Sequence, residues 1–288
     1  MGNDSSKEDE IKLVVTEEAH LKPSLALPDR SNGDTQGGIQ NGPSEKIATV
    51  SKGLPARFLP NAFLKDIKEN QSEEFDSLPV LGPFQYLETG AVYRGQYKNG
   101  MRYGFGIQIW PDKSSYEGYW KNDHYHADGR FITANGDFYE GNWKNSLQNG
   151  RGREVWASGE TYEGAFKNGY RHGAGILKFP NGDIYQGKFT EGQITGTGKF
   201  TWANGDTYSG EWSENKMEGQ GVFVSGGGTT YEGEFQSGLR HGIGSLRTPD
   251  QRLFKGSFEF GLQHGPGTMQ EEGKAPRYCT YDMGQLID

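Results

Sequence analysis

The chain has 288 residues, a formal net charge of −8 and 45 glycines, and 32% of its residues are hydrophobic although 13% are aromatic. This composition excludes a thick aliphatic core and favours thin sheets whose apolar surface consists mainly of rings. The single cysteine excludes an internal disulfide framework and a multi-cysteine metal cluster. The acidic balance argues against a nucleic-acid partner.

The opening residues, MGNDSSK, match the N-myristoylation pattern. Gly2 becomes N-terminal once Met1 is removed, and Asn3, Ser6 and Lys7 supply the recognition residues. One myristoyl chain gives only marginal, reversible membrane binding, with K on the order of 10⁴ M⁻¹. The alternative is an unmodified tail, since acidic residues rather than a second membrane signal follow.

The first third of the chain divides into two predicted segments. Residues 1–60 are rich in small and polar residues from position 24 onward, which predicts a disordered N-terminal segment. Residues 61–81 are expected to form a short helix and a connector, with Asn61 as N-cap and Phe63 and Ile67 on one face. This helix folds back on the residues that follow it or docks on a partner, and the sequence leaves both alternatives open.

From position 93 onward the sequence repeats itself every 23 residues without an insertion. A fixed period of this length indicates a repeat architecture. We number each repeat from its first aromatic residue, which is position 0. Position 0 is Tyr93, Tyr116, Tyr139, Tyr162, Tyr185, Tyr208, Tyr231 and Phe254.

Within each repeat the pattern predicts a β-hairpin. Positions 0, 2 and 4 share one face of a first strand, and glycine occupies positions 2 and 13 in every repeat. Pairing about a centre between positions 7 and 8 places the ring at position 4 opposite the glycine at position 11, where the ring covers bare backbone. Asn-Gly pairs near positions 6–7 and 19–20 predict turns with positive φ. The candidate partner-binding face is formed by the position 4 rings, Tyr97, Trp120, Trp143, Phe166, Phe189, Trp212, Phe235 and Phe258.

The spacing Tyr-x-Gly-x-Trp/Phe-x-Asn-Gly followed by Gly-x-Gly resembles the MORN (membrane occupation and recognition nexus) repeat family. The resemblance implies an all-β fold, an elongated single-layer antiparallel meander of about eight hairpins, over residues 82–288 with partial capping units at 82–90 and 277–284. Two departures, Ala127 at position 11 and the run Ser225 to Gly228, predict irregular turns.

Residues that suggest chemistry have packing explanations. Position 10 holds His126, His172, His241 and His264, but neighbouring repeats are two strands apart, about 10 Å, which is too far for one metal ion. The Gly-x-Gly pairs lack the strand-loop-helix context of a phosphate loop. We therefore expect no catalytic residues, no metal and no cofactor.

The sequence favours a non-enzymatic scaffold or adaptor that binds protein partners. The resemblance implies a membrane-associated, cytoskeletal or ciliary setting and leaves a homodimer open. No apolar run approaches the roughly 20 residues that span a bilayer, so we expect a cytoplasmic chain, peripheral at a membrane or at the cytoskeleton or cilium. The alternatives are a regulatory subunit of a lipid kinase or methyltransferase system, and a direct phosphoinositide binder. The latter has little electrostatic support, because residues 86–288 carry 21 basic and 24 acidic residues.

Overall fold

The computed structural model describes residues 47–49, 77–86 and 88–288, which form β-strands joined by turns. These residues divide into two compact units. The N-terminal unit holds the described residues within 22–180 together with 190–192, and the C-terminal unit holds 181–189 and 193–288. Among the residues described, no helix is long and apolar enough to cross a membrane. The helix predicted within residues 61–81, from Asn61 to Phe75, lies outside them. So do the myristoylation residues Gly2, Asn3, Ser6 and Lys7 and the rest of the predicted disordered segment up to position 46.

In the N-terminal unit, each strand pairs antiparallel with the next one along the chain. The strands are β1 Ile47–Thr49, β2 Val80–Tyr86, β3 Val92–Lys98, β4 Met101–Ile109, β5 Ser115–Lys121, β6 His124–Ile132, β7 Phe138–Lys144, β8 Leu147–Val155, β9 Thr161–Lys167 and β10 Tyr170–Lys178.

In the C-terminal unit, the same antiparallel pairing of consecutive strands runs from β12 to β20. The strands are β11 Ile184–Thr190, of which the last residue belongs to the N-terminal unit, β12 Gln193–Thr201, β13 Thr207–Ser213, β14 Lys216–Val224, β15 Thr230–Gln236, β16 Leu239–Arg247, β17 Leu253–Glu259, β18 Leu262–Gln270, β19 Arg277–Asp282 and β20 Gln285–Leu286. The prediction of an all-β, antiparallel array of 23-residue hairpins is confirmed.

The register inside a hairpin differs from the predicted one. In the β9–β10 hairpin, Phe166 pairs with Arg171 next to the turn, and Gly164 pairs with Gly175 farther along. A β-bulge between residues 171 and 175 changes the register, because one strand carries two more residues there than its partner. The position 4 ring therefore faces position 9 within its own hairpin. The position 4 ring is paired with the position 11 glycine of the preceding hairpin instead. Phe166, for example, pairs with Gly150.

The two kinds of turn use positive φ differently. Asn168 and Gly169 have φ of 51° and 86°, so both central residues are left-handed, as a two-residue type I′ turn requires. At the second connection only the glycine is left-handed, with φ of 96° at Gly182. At this second turn, the prediction that Asn-Gly supplies positive φ is therefore correct for the glycine and not for the asparagine.

Both departures from the repeat pattern keep the regular backbone. Ala127 adopts φ of 50° at the bulge where other repeats place a left-handed glycine such as Gly173. The glycine-rich turn closes by a hydrogen bond from Ser225 N to Thr229 O, as Thr133 N donates to Asp137 O in an ordinary repeat. The prediction of irregular turns is therefore wrong, because the hydrogen bonds along the chain fix the same geometry with other side chains.

The ends of the array carry short additional strands. β2 pairs with β3 as the predicted first cap, and β19 pairs with β18 and β20 at the other end. Strand β1 lies in the segment predicted to be disordered, and its backbone pairs with β2 over Ile47–Thr49. An unpaired strand edge offers hydrogen-bonding groups to any short extended segment. Pairing of this kind explains why β1 forms a strand although its sequence has no hydrophobic pattern that predicts one.

Candidate functional site

The first face of the sheet is built around the position 0 tyrosines. The Tyr162 hydroxyl donates to the backbone carbonyl of Ala165 at 2.9 Å, which turns the ring across the neighbouring backbone. A Cβ added to Gly175 would lie 2.5 Å from the ring atom Cε2 of Tyr162, and one added to Gly164 would lie 2.4 Å from its hydroxyl. The ring that covers the strand glycines is therefore the one at position 0. The prediction that the position 4 ring does so is wrong.

The same hydroxyl contact, from position 0 to the carbonyl of position 3, recurs along the chain. It is made by Tyr93, Tyr116, Tyr139, Tyr162, Tyr185, Tyr208 and Tyr231. Burial raises the pKa of Tyr185 and of Tyr231 to about 12, because the phenolate would lose its hydration. These hydroxyls remain protonated hydrogen-bond donors at neutral pH.

The position 4 rings pack edge-on between tyrosines. Trp212 contacts Tyr208 of its own repeat and Tyr185 of the preceding one, with ring centroids 5.1 and 5.4 Å apart. Its indole Nε1 donates to the carbonyl of Gly198 at 3.2 Å. Edge-to-face contacts of this kind stabilise by about 0.5–1.5 kcal/mol each beyond their buried area.

These rings do not form an exposed surface. Their exposed fraction is at most 8%, in Tyr97, because each ring is enclosed by its neighbours along the array. The prediction that the position 4 rings form an exposed, partner-binding face is therefore wrong, because all eight are buried. They are Tyr97, Trp120, Trp143, Phe166, Phe189, Trp212, Phe235 and Phe258.

A buried ion cluster interrupts this face in the N-terminal unit. Arg171 Nε lies 3.3 Å from Glu154 Oε2, and Arg171 Nη2 lies 3.2 Å from Glu160 Oε1. The guanidinium also lies 4.5 Å from the Trp156 ring centroid and 5.0 Å from that of Tyr162. The side chains of Arg171 and Glu154 are fully buried. A buried charge set of this kind is held in place because removing either sign would leave the other without a counterion.

The inward position of Glu160 has a local cause. In other repeats, an aspartate at position 21 accepts a hydrogen bond from a backbone N–H 20 residues later, as Asp137 Oδ1 does from Ala157 N at 2.7 Å. The residue 20 positions after Glu160 is Pro180, which has no N–H to donate. The Glu160 carboxylate pairs with Arg171 instead. Sequence reasoning missed this cluster, although Pro180 combined with charged residues at positions 9 and 15 was a signal for it.

A second polar cluster surrounds Arg102. Its Nε donates to Asp123 Oδ1 at 2.9 Å, its Nη1 contacts Gln108 Oε1, and its guanidinium lies 4.4 Å from the Trp120 ring centroid. Asp123 occupies the turn position of Gly169 in the Asn168-Gly169 repeat, and both Asp123 and Asn122 are left-handed. The substitution in this turn thus supplies the counterion of a buried arginine.

One of the position 10 histidines, His264, contacts the next turn of the array. His264 Nδ1 lies 3.4 Å from both Asp282 Oδ1 and Met283 N in the next turn. Burial lowers the pKa of His126, and the positive charges of Lys121 and Lys144 lower it further. Within the described ranges, no group of three or more His, Cys, Asp or Glu side chains has metal-binding geometry.

Some of the basic residues near positions 144–171 are paired with carboxylates. Arg171 points into the buried cluster. Arg153 Nη1 and Arg130 Nε lie 3.7 and 3.8 Å from the two oxygens of the Glu140 carboxylate, on the opposite face. Two of the basic residues in this stretch, Arg153 and Arg171, are therefore already paired with carboxylates.

Exposed large apolar side chains are most frequent near the C-terminal end. Five of the ten exposed large hydrophobic residues of the described chain lie within residues 260–287. We call them the C-terminal apolar surface: Phe260, Tyr278, Met283, Leu286 and Ile287. Tyr278 is 91% exposed, and Ile287 N donates to the carbonyl of Thr280 two residues farther along the same strand.

The sequence is similar to known proteins as follows. The MORN repeat family matches residues 93–115, 116–138, 139–161, 162–184, 185–207, 208–230, 231–251 and 254–270. A search of curated proteins returned no match.

Two solved structures show distant similarity. The TCP domain of SAS-4 (dCPAP) of Drosophila melanogaster, in complex with a proline-rich motif of Ana2 (dSTIL), is 15% identical, with 54% of this chain and 85% of that chain covered and a TM-score of 0.35. The wild-type TCP10 domain of Danio rerio CPAP, in complex with a peptide of Danio rerio STIL, is 16% identical, with 64% and 93% covered and a TM-score of 0.27. TM-scores this low carry no inference about this chain.

Proposed function

The chain belongs to the MORN repeat family, whose repeats match eight segments between residues 93 and 270, and we propose that it is a non-catalytic scaffold or adaptor that binds protein partners through this array. The described polar groups that resemble chemistry are used in packing. The histidine at 264 braces a turn, and Arg171 neutralises Glu154 and Glu160. A repeat array whose charged side chains are held in fixed contacts is suited to a structural role as a scaffold.

The observation that carries the proposal is the C-terminal apolar surface. Exposed apolar side chains that are concentrated in one region mark protein interaction sites, whereas scattered ones need no explanation. Tyr278 and Phe260 are 91% and 66% exposed, and an aromatic side chain supplies large contact area at low entropic cost. The partner we propose is a protein that offers a complementary apolar segment to this surface. Binding to this surface replaces the sequence-based hypothesis of binding through the position 4 rings.

The proposal includes a place in the cell. Gly2 and the residues after it match the myristoylation pattern, and a single chain anchors reversibly. The scaffold would therefore act at a membrane or at a cytoskeletal or ciliary structure, with the array available to partners while the N-terminus is inserted.

Proximity labelling in the native cell tests the partner surface. The full chain is compared with Phe260→Ser/Tyr278→Ser, and with Leu147→Ser/Tyr170→Ser as a matched control at two other exposed apolar positions. We expect the first pair to lose specific labelled proteins that the control pair keeps. Identical labelling by all three proteins would contradict binding at the C-terminal apolar surface. Light scattering of the purified chain shows whether the partner is a second copy.

Liposome co-sedimentation tests the lipid anchor separately. Myristoylated wild-type protein is expected to sediment with neutral vesicles, and Gly2→Ala is expected to stay in the supernatant. Equal sedimentation of both would remove the anchor from the proposal and leave the partner surface untouched.

A further inference from the structure

A patch on the second face of β3–β5 is buried although that face is open elsewhere in the array. Position 3 is buried in Gln96 and Tyr119, and positions 10 and 14 are buried in Tyr103 and Ile107, with exposed fractions between 5% and 9%. Phe105 lies between them, its ring 5.6 Å from that of Tyr119. We call these five residues the β3–β5 patch.

The same repeat positions are open in later repeats. Position 3 is exposed in Lys188 and Glu211, and position 14 is exposed in Arg153 and Lys199. At position 12, where the patch has a half-buried phenylalanine, Ile243 is 64% exposed. One sheet layer does not bury both of its faces, so the burial of the β3–β5 patch requires a second layer.

The chain itself supplies a segment at this place. Thr49 of β1 pairs with Phe84 of β2, so the connection formed by residues 50–79 begins and ends at the same pair of strands. The two ends of this connection are separated by about four residues of strand, roughly 13 Å. Near its end, the carbonyl of Leu78 accepts a hydrogen bond from Nε2 of Gln96, at 2.8 Å, so the connection reaches the patch.

The composition of that segment is complementary to the patch. Residues 61–76 offer apolar side chains, among them Phe63 and Ile67, and carry five acidic and two basic residues. The strands of the patch carry Arg94 and Lys121, both exposed, and Lys98, whose Nζ lies 5.1 Å from the Tyr103 ring. A segment held at both ends beside its target needs little intrinsic affinity, because the effective concentration of a short tether is in the millimolar range.

We propose that residues 61–76 dock on the β3–β5 patch and form the second layer over the first two repeats. The segment is an intramolecular ligand of the array. Its docking chooses between the two alternatives that the sequence leaves open for it, and it is independent of the C-terminal apolar surface.

Tyrosine nitration of the full chain, read by peptide mass spectrometry, tests this docking. In the wild type, Tyr278 is expected to react, whereas Tyr103 and Tyr119 are protected. In Phe63→Glu/Ile67→Glu we expect nitration of Tyr103 and Tyr119 to rise about tenfold, as local opening of a covering segment predicts. Tyr139, fully buried in the array, reports that the repeats stay folded.

Leu25→Glu/Leu27→Glu is the matched control, because it places the same charges in the N-terminal segment outside residues 61–76. It is expected to leave both tyrosines protected. The proposal is overturned if Tyr103 and Tyr119 react as fast as Tyr278 in the wild type, or if their protection survives in Phe63→Glu/Ile67→Glu. Protection that weakens on dilution would also overturn it, since a second copy would then be the cover.

Discussion

The ring of Tyr162 lies against the backbone of Gly175 so closely that a Cβ on this glycine would be 2.5 Å from the tyrosine Cε2 atom. The two residues belong to adjacent strands of one hairpin, in which Gly164 and Gly175 pair directly. The contact repeats at the other position 0 rings, as Tyr208 shows with Gly221. Each position 0 ring therefore requires glycine on the strands beneath it, because any side chain there would collide with the ring.

Gly175→Ala should destabilise the protein by about 1–3 kcal/mol, because the added methyl group overpacks a rigid contact and displaces the Tyr162 ring. Gly227→Ala is the matched control: its Cβ would lie 3.7 Å from the nearest atom, and its φ is not left-handed. Urea unfolding followed by circular dichroism measures both. Equal midpoints for the two variants would contradict the account of the ring contact.

Arg171→Met should cost about 3–5 kcal/mol, because it leaves Glu154 and Glu160 buried without their counterion. Adding Glu154→Leu and Glu160→Thr should restore stability to within about 1 kcal/mol of the wild type, since packed apolar groups replace a buried ion set at little cost.

The replacements in that variant come from the array itself. Met217, Leu177 and Thr229 hold the equivalent repeat positions. Chemical denaturation of the single and triple variants is the measurement. A triple variant that is less stable than Arg171→Met alone would show that the ion cluster is required for packing.

Ala127→Gly should stabilise the protein by about 1 kcal/mol, because alanine at φ of 50° carries the steric cost of the left-handed region. Ala174→Gly is the control at an exposed strand position without positive φ, where glycine is expected to cost about 0.5–1 kcal/mol. Thermal unfolding distinguishes the two signs. A lower midpoint for Ala127→Gly would contradict strain at the bulge.

Alkaline pH should destabilise the array through its tyrosines. The folded pKa of Tyr185, about 12, lies above the ordinary value near 10, because burial would deprive the phenolate of its hydration. The group therefore contributes stability that is fully present below pH 10 and is lost as the pH rises through about 12.

Tyr185→Phe checks this sign. It should lose about 1 kcal/mol at pH 8 with the hydroxyl bond to Lys188 O, and its stability should fall less steeply than that of the wild type between pH 10 and 12. Phe254, which fills the same repeat position, shows that the array accommodates phenylalanine there. The free energy of unfolding in urea at four pH values gives the slopes, and parallel slopes would refute the contribution of Tyr185.

Local sequence patterns predicted the regular parts of the site. The period of 23 residues places Tyr162 and Gly164 on one strand face, because side chains alternate along a strand whatever surrounds them. Asn168-Gly169 predicts its turn for the same reason, since the residues with low cost at positive φ lie next to each other in the chain.

The pairing register could not be read from the same pattern. The bulge between residues 171 and 175 is absorbed by a left-handed residue, and its effect on which side chains face each other appears only when two strands pair. For this reason the repeat pattern alone assigned the glycine cover to Phe166 instead of Tyr162. The pattern also indicated exposed position 4 rings, although Trp120 is 1% exposed once neighbouring repeats enclose it.

The sequence by itself determined the repeat, its hairpins and its family, because each depends on residues that are near one another in the chain. Only the tertiary structure decided which side chains are buried and which surfaces remain open. Burial of Arg171 with Glu154, for example, depends on strands that come together from two repeats. Residue type alone does not report those neighbours, and the free energy of each charged or aromatic group depends on them.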